Sequence, residues 1–394
     1  MTSRPGVAIA GAGLAGIGAF EGESVASVAS RAVSAALADC GLSRSDVDGL
    51  FLHIGQPRGL DYDEIARLLA LDVKVVMQPW SHGRFAATVL GAAWQALELG
   101  LVATALCVAV WKPGYRRAGS GTGAMFAETL REGGGPHAET PWAGAVAPVF
   151  GAALATRAYF ERHKLDLGLL AAVPVAQRKA AQRNPFALMR SKPMSPADYQ
   201  AARFIVEPLR LFDCSVPAGI GAAFLLTTAE RAADLLQPPV FVRGWQGIHG
   251  GPDEYIFGHP GLGVDQANVF DYHPAGAGQA VFARAGVSPA DIDALYCYDA
   301  FSPQVLWTLE RFGYCDAGAA AHFVQDGRIE IGGELPVNTS GGHLSEGHSN
   351  GWGSFAEIVA QLRGQAGERQ VEGARLAQWA TTLGDSVIFG ADAC

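Results

Sequence analysis

"SPADIDALY", residues 288–296, repeats "SRSDVDGLF", residues 43–51: Ser43, Asp46, Asp48 and Leu50 return as Ser288, Asp291, Asp293 and Leu295. Each copy follows a helix-like segment that closes on small residues and glycine, "AALADCGL" and "VFARAGV". Each then runs into a short apolar strand, "GLFLHI" and "ALYCYDAF". Farther on, "VVMQPWSHGRFAATVLGAAWQALELG" and "LPVNTSGGHLSEGHSNGWGSFAEIVAQLRG" share one order, an apolar strand, a polar turn and a helix. Helix–strand–loop–helix with apolar strands is the pattern of layered α/β folds whose sheets are covered on both faces. The matching context around the repeat makes it a duplication.

Two halves packed about a pseudo-twofold axis would bring the equivalent turns, Trp80–Arg84 and His348–Gly353, towards each other. A helix N-terminus offers unpaired backbone N–H groups to a developing oxyanion. Glycine lets a substrate approach the backbone, so the Gly-rich stretch 335–353 is read as the floor of an active site. The first half is placed at 1–245 and the second at 246–394. Residues from about 112 to 205 form an inserted excursion, Gly/Pro-rich at first and then helix-like in "GLLAAVPVAQRKAAQ" and "SPADYQAARF". Such an insertion is expected to cap the site or bind substrate.

Composition agrees with a large covered core. The 394 residues are 49% hydrophobic and 17% charged, with 50 glycines. Acids outnumber bases, 38 Asp+Glu to 29 Lys+Arg, and the basic pair Arg116-Arg117 is no nucleic-acid footprint. No signal peptide is evident, and Gln95 and Glu98 interrupt the most apolar window, 85–111. That window is read as a helix ending near Gly100 and then a buried strand. The six cysteines include no C-x-x-C pair and are read as reduced core thiols, so a cytoplasmic protein without a membrane span is expected.

"GAGLAG" at 11–16 matches a dinucleotide-binding fingerprint, yet a looping "IGAFEGES" stands where the helix should begin. It is read as a Gly-rich turn after the first strand.

"PVNTSGGHLSEGH", "YDAFSPQVLWTLERFGYC" and "EPLRLFDCSVPAGIGAAFLLT" resemble the thiolase superfamily, in particular its sterol-carrier and lipid-transfer branch. The resemblance runs from about residue 7 to the end. It implies the thiolase fold, an α/β architecture of two duplicated halves in five α-β-α-β-α layers, usually dimeric. Thiolases attack a CoA thioester with a cysteine at the helix start of the first half. Here that stretch is "WSHGRFAA", and the late "WATTLGDSVIFGADAC" offers only Cys394. Without a thiol there is no acyl-enzyme by the usual route.

Cysteine-free steroid side-chain aldolases are similar to this chain through the same "YD-x-F" and "EPLRL-x-DC" segments. They cleave a β-hydroxyacyl-CoA by a retro-aldol reaction and use tyrosine as acid/base. By that resemblance Tyr298 is a catalytic tyrosine, and His348 stands where the aldolases have a second one. Ser81, His82, Gly83, Asn338, Gly347 and Gly351 are expected to line the substrate site, Asn338 by holding the loop or a catalytic water through its amide. His343 is expected only to shape the loop, and Asp213-Cys214 to be structural. No metal or nucleotide cofactor is expected; the CoA thioester is substrate. A homodimer and a small OB-fold, zinc-ribbon partner are implied by the family. The competing readings are acyl transfer by an atypical nucleophile and a non-catalytic subunit of a complex.

Overall fold

A computed structural model describes residues 6–53, 62–79, 85–112, 148–248 and 279–393. The first half contributes β1 (Val7–Gly18), α1 (Val25–Cys40), β2 (Gly49–His53), α2 (Tyr62–Leu68), β3 (Val75–Met77), α3 (Phe85–Glu98) and β4 (Thr104–Trp111). The excursion follows as α4 (Pro148–Arg162), α5 (Ala172–Gln182), α6 (Pro196–Ala201), β5 (Phe204–Val206) and β6 (Leu209–Arg210). The chain then returns through β7 (Gly219–Thr228) and α7 (Ala229–Ala233). The second half is β8 (Val240–Gln246), α8 (Gln279–Ala285), β9 (Ala294–Cys297), α9 (Pro303–Arg311), α10 (Ala320–Phe323), α11 (Gly342–Ser345), α12 (Trp352–Leu362), β10 (Leu376–Ala380) and β11 (Ser386–Gly390). The expected boundary at 245/246 falls inside β8, whose pairing with β11 starts the second half at Val240 instead.

The repeated Ser and Asp residues do the same work in both halves. Ser43 and Asp46 close a capping box on a single 3-10 turn, and Ser288 and Asp291 close its twin. The second Asp of each repeat ties the entering strand to its parallel neighbour. Asp48 accepts the N–H groups of Ala103 and Thr104 at the start of β4, and Asp293 accepts those of Arg375 and Leu376 at the start of β10. Parallel registers then follow, Gly49 beside Ala105 and Ala294 beside Ala377.

In the strand order β3-β2-β4-β7-β1-β8-β11-β10-β9, the β1–β8 junction is a centre of symmetry that pairs β1 with β8, β7 with β11, β4 with β10 and β2 with β9, and β3 extends the first-half edge. There the half-sheets touch antiparallel through only Ala8–Phe241 and Ile9–Val240. Between them lie α3 and α12, whose Ala87, Leu90, Trp352, Phe355 and Ile358 share one core with Phe51, Cys107 and Phe224 on one side and Tyr296, Trp379 and Phe389 on the other. Burying each large side chain contributes roughly 1.5–3 kcal/mol, so this layer is a main source of cohesion. Outside, α1 covers Leu50, Leu106 and Val108. On the far side Phe282, Val305 and Leu306 cover Leu295, Cys297 and Ile388, which completes five layers.

Two expectations take their structural form here. The excursion leaves the first half but packs on the second, where Tyr159, Phe160 and Val173 join the outer core of α8 and α9. The "GAGLAG" stretch is not a turn; β1 runs straight through it to Gly18. Its glycines serve close packing, since a methyl group on Gly13 would stand 2.1 Å from the Ala32 carbonyl oxygen of α1.

Candidate active site

Tyr298 leaves the C-terminal end of β9, where its N–H donates to the Ala380 carbonyl at 3.1 Å. The next residue, Asp299, is fully buried and organises the Gly-rich stretch. It accepts the N–H groups of His343 (2.9 Å) and Leu344 (3.3 Å) and the His343 Nδ1–H (2.5 Å). A side chain at Gly342 would stand 2.3 Å from Asp299 Oδ2 at a φ of 57°, so only glycine permits this turn. His343 Nε2 then accepts the N–H of Gly351, the N-cap of α12. The expectation that His343 shapes the loop takes this concrete form: a buried Asp–His pair fixes both the turn and the start of the central helix.

Asn338 lies beneath. Its Oδ1 accepts the Cys297 N–H at 2.8 Å and its Nδ2 donates to the Cys297 carbonyl at 3.2 Å. The amide is fully buried and spent on this peptide, so it steadies the strand end that carries Tyr298 instead of facing substrate.

Above these supports the rings of Tyr298, His343 and His348 form a triangle with centroid separations of 5.0, 5.1 and 5.6 Å. His348 Nε2 is 3.2 Å from the Tyr298 hydroxyl and 3.0 Å from Asn350 Oδ1, while Nδ1 is 2.9 Å from Ser215 Oγ. Asn350 offers only an acceptor there, so Nε2 carries the proton and Nδ1 accepts from Ser215. Desolvation, with the neighbouring His343, pushes the His348 pKa down to about 3. The imidazole is therefore neutral at working pH: a weak base, but a good N–H donor.

The starts of the two central helices do meet. Ala86 N–H reaches the Asn350 carbonyl at 3.4 Å, and Gly351 faces the Ala86 methyl group. The oxyanion role expected of the α12 start is not met. Gly351 N–H is taken by His343 Nε2, that of Trp352 by the Ser349 carbonyl and that of Gly353 by Ser349 Oγ. Gly351 is instead where the helix turns under Trp379, with a φ of 90°. Gly347 lies against Ile17, Ala218 and Leu188, an apolar edge beside His348. Ser81, His82 and Gly83 lie outside the described residues.

Ser215 and Asn350 escaped the sequence reading. Ser215 lies within the quoted "EPLRLFDCSVPAG" motif directly after Asp213-Cys214. Asp213 is structural as expected: its carboxylate takes the Tyr199 hydroxyl and the Arg210 N–H, which sets the segment that ends at Ser215. Among the described residues no thiol is bonded to Tyr298 or His348. Cys40, Cys107 and Cys297 are buried, and burial pushes the Cys214 and Cys315 thiols up to about 12.

The thiolase C-terminal domain-like family model matches residues 265–387. A steroid side-chain-cleaving aldolase of Thermomonospora curvata is 32% identical, over 92% of each chain. The 17-hydroxy-3-oxo-4-pregnene-20-carboxyl-CoA lyase of Mycobacterium tuberculosis is 34% identical, over 90% of this chain and 92% of the other. A solved structure described as the Ltp2-ChsH2(DUF35) aldolase superposes over 100% of both chains with a TM-score of 0.85 and 30% identity.

Proposed function

The chain belongs to the thiolase superfamily, beside the steroid side-chain-cleaving aldolases, and from that membership we infer that it is a carbon–carbon lyase cleaving a β-hydroxyacyl-CoA by a retro-aldol reaction. The observation that carries the reading is a phenol 3.2 Å from a neutral imidazole, with no thiol among the described residues bonded to either. In the step we propose, the Tyr298 hydroxyl is a proton relay: its Oη takes the proton of the β-hydroxyl while its own O–H proton is passed on to Cα. The Cα–Cβ bond breaks, the β-carbon becomes a carbonyl, and the electron pair passes into the thioester enolate. The His348 Nε2–H turns from Asn350 to the enolate oxygen, the use of a neutral histidine as an electrophile. Cα receives the proton that Tyr298 releases, and the phenol is left as it began. This sequence is complete with side chains of the chain and the thioester, so no metal or nucleotide enters it.

The names of the relatives point to a steroid acyl group as substrate class. Acyl transfer is the second reading. It draws on the Ser215 Oγ–His348 Nδ1 contact, a nucleophile–base geometry. An imidazole at about 3 is a poor base for a serine, which favours the aldolase. Incubation with a branched β-hydroxyacyl-CoA is expected to release a ketone or aldehyde and the shortened acyl-CoA. Thiolysis of a β-ketoacyl-CoA with free CoA, and no such cleavage, would select acyl transfer. Neither activity, with turnover found in a partner alone, would leave a non-catalytic subunit.

Two associations belong to the same proposal. The aldolase of similar structure is named for two components, which supports a small second subunit here, of the OB-fold, zinc-ribbon kind. Edge strand β3 exposes Val76 and Met77, 37% and 43%, and an open apolar edge suits pairing with a second copy. No helix among the described residues is long and apolar enough to cross a membrane. The protonated, unpaired thiols fit the reducing cytosol we propose as its compartment.

A further inference from the structure

Glu346 stands two positions before His348, on the turn the catalytic histidine hangs from, and is 4% exposed. Its oxygens are held from different directions. Asn184, just past α5, donates Nδ2–H to Oε1 at 2.9 Å, and Ser340 Oγ lies 2.9 Å from Oε2, where its hydroxyl donates to a carboxylate and accepts the O–H of a protonated carboxyl. Asn184 Nδ2 also donates to the Ser340 carbonyl. The backbone beyond Asn184 follows the same line: Leu188 N–H donates to the Glu346 carbonyl at 3.0 Å and Met189 N–H to that of Ser345 at 3.1 Å. On the third side lies the first turn of α12, where a methyl group on Gly353 would be 2.8 Å from Oε2. One carboxyl group thus joins the excursion, the Gly-rich turn and the central helix.

The charged groups around it do not balance a carboxylate. Glu357 faces it from α12 and is also buried, at 5%. Arg369 comes from the turn at 367–369, but its Nε and Nη2 are committed to Glu357 at 2.9 to 3.1 Å. From α5, Arg178 is bonded to Ser345 Oγ and to the Lys192 carbonyl, not to Glu346. Asn184 and Ser340 are neutral. Two buried carboxyl groups therefore share one guanidinium, and ionising the second is opposed by burial and by repulsion. Burial first, and then Glu357, push the Glu346 pKa up to about 8.

We propose that Glu346 is a positioning residue that works in its protonated form: the neutral carboxyl clasps the excursion and α12 onto the Gly-rich turn and so holds His348 against Tyr298 and Ser215, and loss of the proton opens the clasp. Its effect on turnover rests on the aldolase reading, but the movement of the turn does not. A negative charge formed in that pocket meets two neutral donors and no uncommitted cation among the described residues, so the relief that completes the proposal is water drawn in as the turn lifts from Asn184 or Gly353.

The test compares wild type with Glu346→Gln, which keeps the shape and is neutral at every pH; Ser340 Oγ can accept from the new amide. Two measurements are made, kcat/KM against pH, each protein scaled to its own value at neutral pH, and amide hydrogen exchange of peptides from 338–351, corrected for the chemical exchange rate. Above pH 8 the wild type is expected to lose kcat/KM about tenfold per further pH unit. Its protection in the turn is expected to fall about tenfold between neutral pH and one unit above that pKa. In Glu346→Gln both are expected to stay level. The same alkaline loss in both proteins, or none in either, overturns the proposal. If Glu346→Gln does not fold, wild-type protection that stays constant across this range overturns it. If the protein cleaves no β-hydroxyacyl-CoA, exchange still decides about the clasp while the aldolase reading fails.

Discussion

His53 and Tyr298 occupy one position of the duplicated framework. The spacing from Asp48 to His53 equals that from Asp293 to Tyr298, and each side chain stands at the end of the strand its Asp anchors. Their surroundings are opposite. His53 is 3% exposed, lies between Trp111 and Trp352 at ring separations of 4.8 and 6.3 Å, and accepts the Trp352 indole N–H on Nδ1. Burial holds its pKa well below the usual histidine value. Tyr298 meets His348, and through it Ser215 and Asn350. What differs is what lies beyond the strand end. Among the described residues, two indoles flank the side chain in the first half; in the second the turn 335–351 is positioned by Asp299, Asn338 and Glu346. Duplication copied a scaffold, and packing then made one strand end core and the other a site.

The largest effects should fall on one side of this comparison. Tyr298→Phe and His348→Ala are each expected to lower kcat/KM about 10²- to 10⁴-fold, the usual range for a lost acid/base or oxyanion donor. His53→Phe should keep kcat/KM within about threefold and cost about 1–3 kcal/mol in urea unfolding, because the Trp352 N–H loses its acceptor. Comparable activity losses for His53→Phe and Tyr298→Phe would mean that the two halves share the chemistry.

Smaller effects should be symmetric. Asp48→Ala and Asp293→Ala each strip the acceptor from two strand-entry N–H groups, so each is expected to destabilise the fold by about 1–3 kcal/mol. A cost confined to one half would show that the repeat serves only that half.

The pH dependence sharpens the contrast further. His348 has a folded pKa of about 3, below its unfolded value near 6.5. The folded state therefore favours the neutral ring. The stability contributed is fully present above about pH 6.5 and is lost as pH falls towards 3. The kcat/KM profile is expected to show no acid limb near about pH 6.5; a limb there would mean that His348 ionises as an ordinary histidine and acts as a base. The smallest effect is none at all. Iodoacetamide should leave activity intact, since the described thiols are buried or held protonated and none of them is bonded to the Tyr298–His348 pair. Rapid inactivation would restore thiol chemistry to the first half.

Much of the framework was legible because it is written in local chemistry. A Ser and an Asp three residues on make a capping box whatever surrounds them, and the matching Asp48 and Asp293 marked equivalent strands. Helix α1 begins after a Ser24 cap and closes on the quoted "AALADCGL", and the helix expected to end near Gly100 ends at Glu98. "GAGLAG" was misread because glycine signals both a turn and a close approach, and only the position of α1 tells them apart.

Within the site, Tyr298 and His348 stood out through motifs, and their geometry brings them together. Ser215 could not be placed, since it lies 133 residues from His348. Asn338 was recognised as a loop residue, but its amide could have faced substrate or backbone until the Cys297 peptide was seen to take both ends. Sequence by itself determined the duplication, the layered α/β class and the absence of a thiol at the first-half helix start, because these depend on residue identity and short spacings. Tertiary structure alone decided that the N–H groups at the start of α12 are already spent, that His348 is a neutral donor, and that Glu346 is buried beside Glu357. Each of those depends on desolvation and on partners brought from distant parts of the chain, and neither is encoded in a local pattern.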